Sequence, residues 1–265
     1  MRGRRTNNRA RRSSWQTLCG VAAFALRAVA AHGGDLLGDS FAYPDGPIVG
    51  ASGSPWEKHS GIAAEANVAE GQLQLTQGDT EDISAVLLGA PHTSAGGGSL
   101  YAGFTVRFDT LPTGDGTYFA HFKNSATLFR ARVFTSTLNA GAGSFRLGIG
   151  NGTSADANSG QIPTDLTLGF TYTLVTRYEL STAVSTLWLN PLAESDPSVT
   201  ASDASTPIDV TAFAFRQSVD SGGGMGGLAV DNLRVGTTFV DVVPEPATWA
   251  LLVLGLGGFF LARRR

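Results

Sequence analysis

Scattered acids, isolated histidines, a set of arginines in alternating segments and two tryptophans are the side chains of this 265-residue chain able to carry chemistry. Glycoside hydrolysis with retention needs two carboxylates about 5 Å apart, one as nucleophile and one as acid, which a strand supplies as Glu-x-Asp-x-x-Glu. Glu194-Ser195-Asp196-Pro197-Ser198-Val199 comes nearest. It has Val199 in place of the second glutamate, and Pro197 marks a loop rather than a strand. Glu179 stands alone at the end of a strand-like segment. His59, His92 and His121 are far apart in sequence, which predicts surface or packing roles over metal ligation. There is no nucleophile elbow and no phosphate loop; the glycines of 222–227 form a turn with no helix after them. These patterns predict a chain that is not an enzyme and has no resident cofactor. A secreted glycan-processing enzyme with an atypical site is the alternative.

Binding chemistry has better candidates. Arg107, Arg130, Arg132 and Arg146, with Arg177 nearby, alternate with apolar residues and are expected to line one sheet face. A row of guanidinium groups suits the uronate or sulfate groups of an acidic polysaccharide through paired hydrogen bonds, and it equally suits a solvated face with edge-protecting charges. Trp56 and Trp188 offer rings for sugar stacking, although tryptophans of sandwich domains also serve as core or rim. Asp79, Glu81 and Asp82 are close enough in sequence to hold Ca2+, and a charged turn explains them as well.

The elements that must position these side chains are strands. In 100–109, Phe104, Val106 and Phe108 fall on one face and Thr105, Arg107 and Asp109 on the other. Phe129, Ala131 and Val133 repeat the pattern against Arg130 and Arg132, as do Phe145, Leu147 and Ile149 against Arg146. Further strands are expected over Gly71–Thr76, Ile83–Leu88, Thr117–Phe122, Leu168–Glu179, Val184–Asn190, Ile208–Arg216 and Leu228–Val235, separated by glycine-rich turns such as 94–98, 150–152 and 221–224. No long amphipathic helix interrupts them. The expected fold is all-β, a two-sheet antiparallel sandwich.

Both ends of the chain have a different composition. Arg2, Arg4, Arg5, Arg9, Arg11 and Arg12 precede a short apolar run from Leu18 to Leu26 and the small residues Ala28-Val29-Ala30, the order of a signal peptide over 1–31. Cys19, the single cysteine, lies inside it. At the other end, Pro244-Glu245-Pro246 is followed by an apolar segment over 247–262 and by Arg263, Arg264 and Arg265. Sixteen helical residues span roughly 24 Å against a hydrocarbon core of ~30 Å, so this single transmembrane helix is marginal. The arginines fix its end on the cytoplasmic side. A plain unprocessed anchor would have the same hydropathy. The order, spacing and terminal position of 243–265 closely resemble the PEP-CTERM sorting signal of Gram-negative bacteria. That resemblance implies export, transient anchoring in the inner membrane, and hand-over to an exosortase-type processing enzyme that acts on the motif.

Residues 32–242 are left as the exported domain, long enough for one core without disulfides. From His32 to Val243 there are nine Lys and Arg against 21 Asp and Glu, a net charge of −12, so nucleic acid and anionic lipid are repelled. Leu37-Gly38-Asp39-Ser40-Phe41, Tyr172–Tyr178 with Ser185–Asn190, and Leu228–Val235 resemble the first, middle and last strands of concanavalin A-like, laminin-G-like jelly rolls. This architecture implies no single activity. The sequence as a whole points to an outer-surface or extracellular protein, a structural or carbohydrate-associated component of the envelope or exopolysaccharide, with polysaccharide as its expected partner.

Overall fold

The computed structural model describes residues 34–152, 159–203, 205–220 and 223–243. In chain order the first strands are β1 (Leu37–Asp39), β2 (Gly46–Pro47), β3 (Glu57–Ser60), β4 (Asn67–Ala69), β5 (Gln72–Thr76), β6 (Asp82–Val86), β7 (Ser99–Thr110), β8 (Thr113–Gly114) and β9 (Thr117–Lys123). They continue as β10 (Phe129–Ser136), β11 (Arg146–Gly150), β12 (Thr171–Glu179), β13 (Ser185–Leu189), β14 (Ser198–Thr200), β15 (Ala212–Phe215), β16 (Val219–Asp220), β17 (Gly223–Gly224) and β18 (Gly227–Gly236), followed by the short helix α1 (Phe239–Val242). The signal peptide expected over 1–31 lies outside the described residues, as do the motif 244–246, the membrane segment 247–262 and the arginine tail 263–265. Among the described residues no helix is long and apolar enough to cross a membrane.

The strands form two large antiparallel sheets and a small ribbon. One sheet has nine strands, running β14-β13-β12-β7-β18-β5-β4-β2 with β1 added beside β18; the other has six, running β11-β10-β9-β15-β6-β3; the ribbon is β16-β17-β8. Apolar residues of the two large sheets meet in one core. Leu100, Ala102, Phe104, Val106 and Phe108 of β7 pack with Phe119 and Phe122 of β9 and with Phe213 and Phe215 of β15. The rings of Phe104 and Phe215 lie 5.6 Å apart, within the range for favourable aromatic pairs, and those of Phe108 and Phe145 4.4 Å apart, at its near edge. This is the two-sheet antiparallel sandwich that the alternation predicts, in keeping with the jelly roll that the concanavalin A-like resemblance implies.

Alternation also sorts most of the polar side chains. Opposite the buried Phe104, Val106 and Phe108, Arg107 turns outward and pairs with Asp109 at 2.9 Å. Opposite Phe145, Leu147 and Ile149, Arg146 pairs with Asp165 at 2.6 Å. Gly169 takes φ 78° and makes a turn, so β12 begins at Thr171 rather than at Leu168.

The pattern fails in β9 and β10. Val133 pairs with Ala120 and Phe134 with Tyr118, which leaves Phe119 as an extra residue, and the register shifts again between Arg130 and Val133. Ala131 adopts φ 49° within that shift. Two residues of one strand can oppose one of its partner at such a bulge, so period two no longer sets the face. Phe129 therefore leaves the core that Ala131 and Val133 join, which corrects the expected alignment of the three.

Candidate functional site

The arginines expected on one face occupy two sheets. Arg107 and Arg177 belong to the nine-stranded sheet, whereas Arg130, Arg132 and Arg146 belong to the six-stranded one. Even neighbours separate: Arg130 donates to the Thr206 carbonyl at 2.6 and 3.1 Å and lies beside the core residue Tyr178, while Arg132 turns to the opposite side, over the Tyr118 and Phe129 rings. The tryptophans are also removed from solvent, each 2% exposed. Trp56 packs in the main core between Phe41 and Phe215, its indole N–H donating to Asp39 at 2.7 Å. Trp188 is covered by α1, against Phe239 at 5.6 Å. Neither ring is available for sugar stacking as it stands.

The acids are engaged as well. Arg177 bridges Glu179 at 2.9 Å and Glu194 at 3.1 Å, and the Tyr101 hydroxyl donates to Glu194 at 2.7 Å. These two carboxylates are linked through one shared guanidinium. Asp196 accepts the backbone N–H groups of Leu192 and Ala193, which hold its carboxyl below the usual range. Glu81 is buried and accepts two backbone N–H groups at 2.8 Å, from Glu65 and Ala66, whereas Asp82 accepts from the Ser60 hydroxyl. Among the described residues no group of three or more acids, histidines or cysteines could hold a metal ion.

A different group of residues gathers on the outer face of the six-stranded sheet. The bulge in β9 places Phe119, Ala120 and Phe122 in the core and leaves Tyr118, His121 and Lys123 on the far side. The shift in β10 brings Phe129 to the same side, with its ring 4.2 Å from that of His121. His59, at the opposite edge on β3, reaches both, with centroid distances of 6.2 Å to His121 and 6.2 Å to Phe129. The Arg132 guanidinium lies 5.0 Å from the Tyr118 ring centre and 5.4 Å from that of Phe129. Arg216 lies against the same tyrosine at 4.5 Å. Two histidines that stand singly in the sequence therefore meet in the fold.

This face is strongly desolvated and carries like charges. His121 is 0% exposed, Arg132 4% and Lys123 8%. Burial, then the charges of His59, Arg132, Arg216 and Lys123, push the His121 imidazole well below its ordinary range. Burial and the neighbouring Lys123 bring His59 down to about 4. Burial also lowers Lys123 and Arg132 from their ordinary values. Both ring nitrogens of His59 and of His121, and Nε of Arg132, are buried without a hydrogen-bond partner. Buried polar atoms normally find one, and each exception calls for an explanation.

No sequence motif announces this arrangement. Tyr118, His121, Lys123, Phe129 and His59 join only through the bulges and through a sheet order that is not sequence order. The available signal was Tyr-x-x-His-x-Lys in an otherwise apolar strand.

Residues 242–265 match the family described as the PEP-CTERM protein-sorting motif. The chain carries a PEP-CTERM sorting signal. Such a motif marks an exported protein handled by an exosortase at the membrane. No curated protein matches the chain. Among solved structures, lectin II from Ulex europaeus is similar at 16% identity over 68% of this chain and 91% of that one, with a TM-score of 0.42. Lectin UEA-II complexed with galactose is similar at 16% identity over 76% and 98%, with a TM-score of 0.48. Trypanosoma rangeli sialidase is similar at 15% identity over 77% of this chain and 30% of that one, with a TM-score of 0.44.

Proposed function

We propose that this PEP-CTERM protein is an outer-surface or extracellular β-sandwich of a Gram-negative bacterium, acting as a structural or carbohydrate-associated component of the envelope or exopolysaccharide. In this reading residues 1–31 are removed as a signal peptide, 32–242 form the exported domain, and 243–265 hold the protein in the inner membrane until an exosortase acts on Pro244-Glu245-Pro246. The observation that carries the reading is the sorting motif at 242–265, attached to an all-β domain of net charge −12. Such a charge keeps the domain soluble and away from nucleic acid and anionic lipid. The guanidinium shared by Glu179 and Glu194 favours a binding or structural module over a glycosidase.

Replacing Pro244, Glu245 and Pro246 together by alanine tests the sorting half. Export should continue while full-length protein accumulates in the inner membrane, as read by fractionation. Normal release of that variant would remove the processing step. The carbohydrate half is tested on a glycan array with the full chain in detergent, where binding to at least one polysaccharide is expected.

A further inference from the structure

We propose that the outer face of the six-stranded sheet binds a carboxylate-bearing sugar, a uronate unit of an acidic polysaccharide, through Arg132, Lys123, His59 and His121, with Tyr118 and Phe129 against the sugar ring. The sugar part of this assignment rests on the carbohydrate-associated reading above. The anion part rests on the site itself.

Charge is the first argument. Only nine lysines and arginines stand between His32 and Val243, and three of them, Lys123, Arg132 and Arg216, gather here with two histidines in an otherwise acidic domain. Elsewhere Arg107, Arg146 and Arg177 each have a carboxylate at 2.6–3.1 Å. Among the described residues, Lys123 and Arg132 have none. The nearby Asp203 carboxylate is occupied by the N–H groups of Asn151 and Gly152 and by the Ser159 hydroxyl, and Asp82 on β6 accepts from Ser60 and from the Gln217 N–H. The Asp203 charge offsets the burial of Arg132 only in part, since that guanidinium is still held below its ordinary value. Buried cations without a counter-ion are costly, and a bound anion removes that cost.

Hydrogen bonding is the second. Arg132 donates from one terminal nitrogen to the Asn151 carbonyl at 3.3 Å, its Nε is unpartnered, and the Tyr118 and Phe129 rings flank it. Rings fix a guanidinium plane and leave its edge as the donor surface, the geometry that suits a carboxylate. His59 and His121 add ring nitrogens that are also unpartnered, and His121 and Arg132 are both more than nine-tenths buried. Tyr118, Phe129 and His59 remain partly exposed, whereas Lys123, His121 and Arg132 are buried, so the aromatic residues face solvent more than the cations do. That order fits an anionic group carried on a ring better than a small free ion, which has no use for the aromatic rim.

Proton uptake follows from the same geometry. Without ligand, His121 and His59 are held neutral at pH 7 by burial and by Lys123, Arg132 and Arg216. A carboxylate beside them offsets those cations and favours imidazolium, so binding should tighten as pH falls.

The test is calorimetry on the full chain in detergent with oligogalacturonate, its methyl ester, a neutral galactan and sodium acetate. Oligogalacturonate should bind about tenfold more tightly than the ester, as expected when a charge-assisted hydrogen bond is lost, and more tightly at pH 5.5 than at pH 7.5. Arg132→Gln should lose about tenfold with the circular dichroism unchanged, and Arg107→Gln, on the other sheet, should change nothing. If Arg132→Gln fails to fold, Lys123→Gln and His59→Gln replace it, each expected to weaken binding severalfold. Equal affinity for the methyl ester, an inverse pH response or an unaffected Lys123→Gln overturns the site. Acetate binding as tightly as oligogalacturonate reduces it to a free-anion site and overturns the uronate assignment. Binding to galactan alone overturns the site while leaving the carbohydrate reading intact, whereas no binding to any glycan overturns both.

Discussion

The outer faces of the two sheets handle charge in opposite ways. On the nine-stranded sheet Arg177 is answered by Glu179 and Glu194, Arg107 by Asp109, and the Tyr101 hydroxyl by Glu194, while Phe239 and Val242 close over Trp188 and Val175. On the six-stranded sheet, among the described residues, Lys123 and Arg132 have no carboxylate, and the ring nitrogens of two imidazoles are buried without hydrogen bonds. Both faces carry aromatic rings and guanidinium groups, so composition does not separate them. Partner satisfaction does. A completed network stabilises the fold it sits on, whereas an incomplete one lowers stability and persists where something outside the chain completes it.

Substitutions and pH offer ways to break this contrast. The largest expected effect sets the scale: Phe104→Ala, in the core beneath both faces, should cost about 3–5 kcal/mol in chemical denaturation. Next is the pH response. Because the folded protein holds His59 at about 4 and His121 well below its ordinary value, the unfolded chain takes up protons first as pH falls below 6.5. Stability present above that pH should decline toward pH 4, and His59→Gln should flatten the decline in a thermal melt series; an unchanged slope would detach the cationic face from it. Arg177→Ala, which removes the cation shared by Glu179 and Glu194, should cost about 1–2 kcal/mol, less at high salt. Arg132→Met removes an unanswered buried charge and should be neutral or stabilise by about 1 kcal/mol. If Arg132→Met costs as much as Arg177→Ala, the two faces are energetically alike. The smallest effect is reserved for Thr105→Ala, opposite Phe104, expected within about 0.5 kcal/mol.

Legibility in the sequence followed the regularity of the strands. Where period two holds, as in β7 and β11, the buried phenylalanines and the outward arginines both follow from the alternation. In β9 and β10 one extra residue and a positive φ at Ala131 break it, and the same irregularity that misplaces Phe129 assembles His121, Phe129 and Arg132. The grouping of five arginines on one face assumed adjacency in sequence to be adjacency in space. The sheet order places β7 and β12 in one sheet and β10 and β11 in the other. Trp188 lies in a regular strand outside the main core, but a four-residue helix some fifty positions later covers it, and no local pattern announces that cover. The sorting motif, by contrast, is contiguous and needs no fold to be recognised.

The docking of α1 has a mechanical consequence for processing. Phe239 and Val242 are pinned to the outer face of the nine-stranded sheet, and a side chain at Gly103 would run into the Val242 carbonyl, so the seat accepts the helix only because that position is bare. Pro244 is the next residue but one after Val242. At about 3.5 Å per residue the leash between folded domain and recognition motif has almost no slack. On the processing route proposed above, an enzyme that reads Pro244-Glu245-Pro246 would therefore act within a few residues of the docked helix unless α1 first peels away.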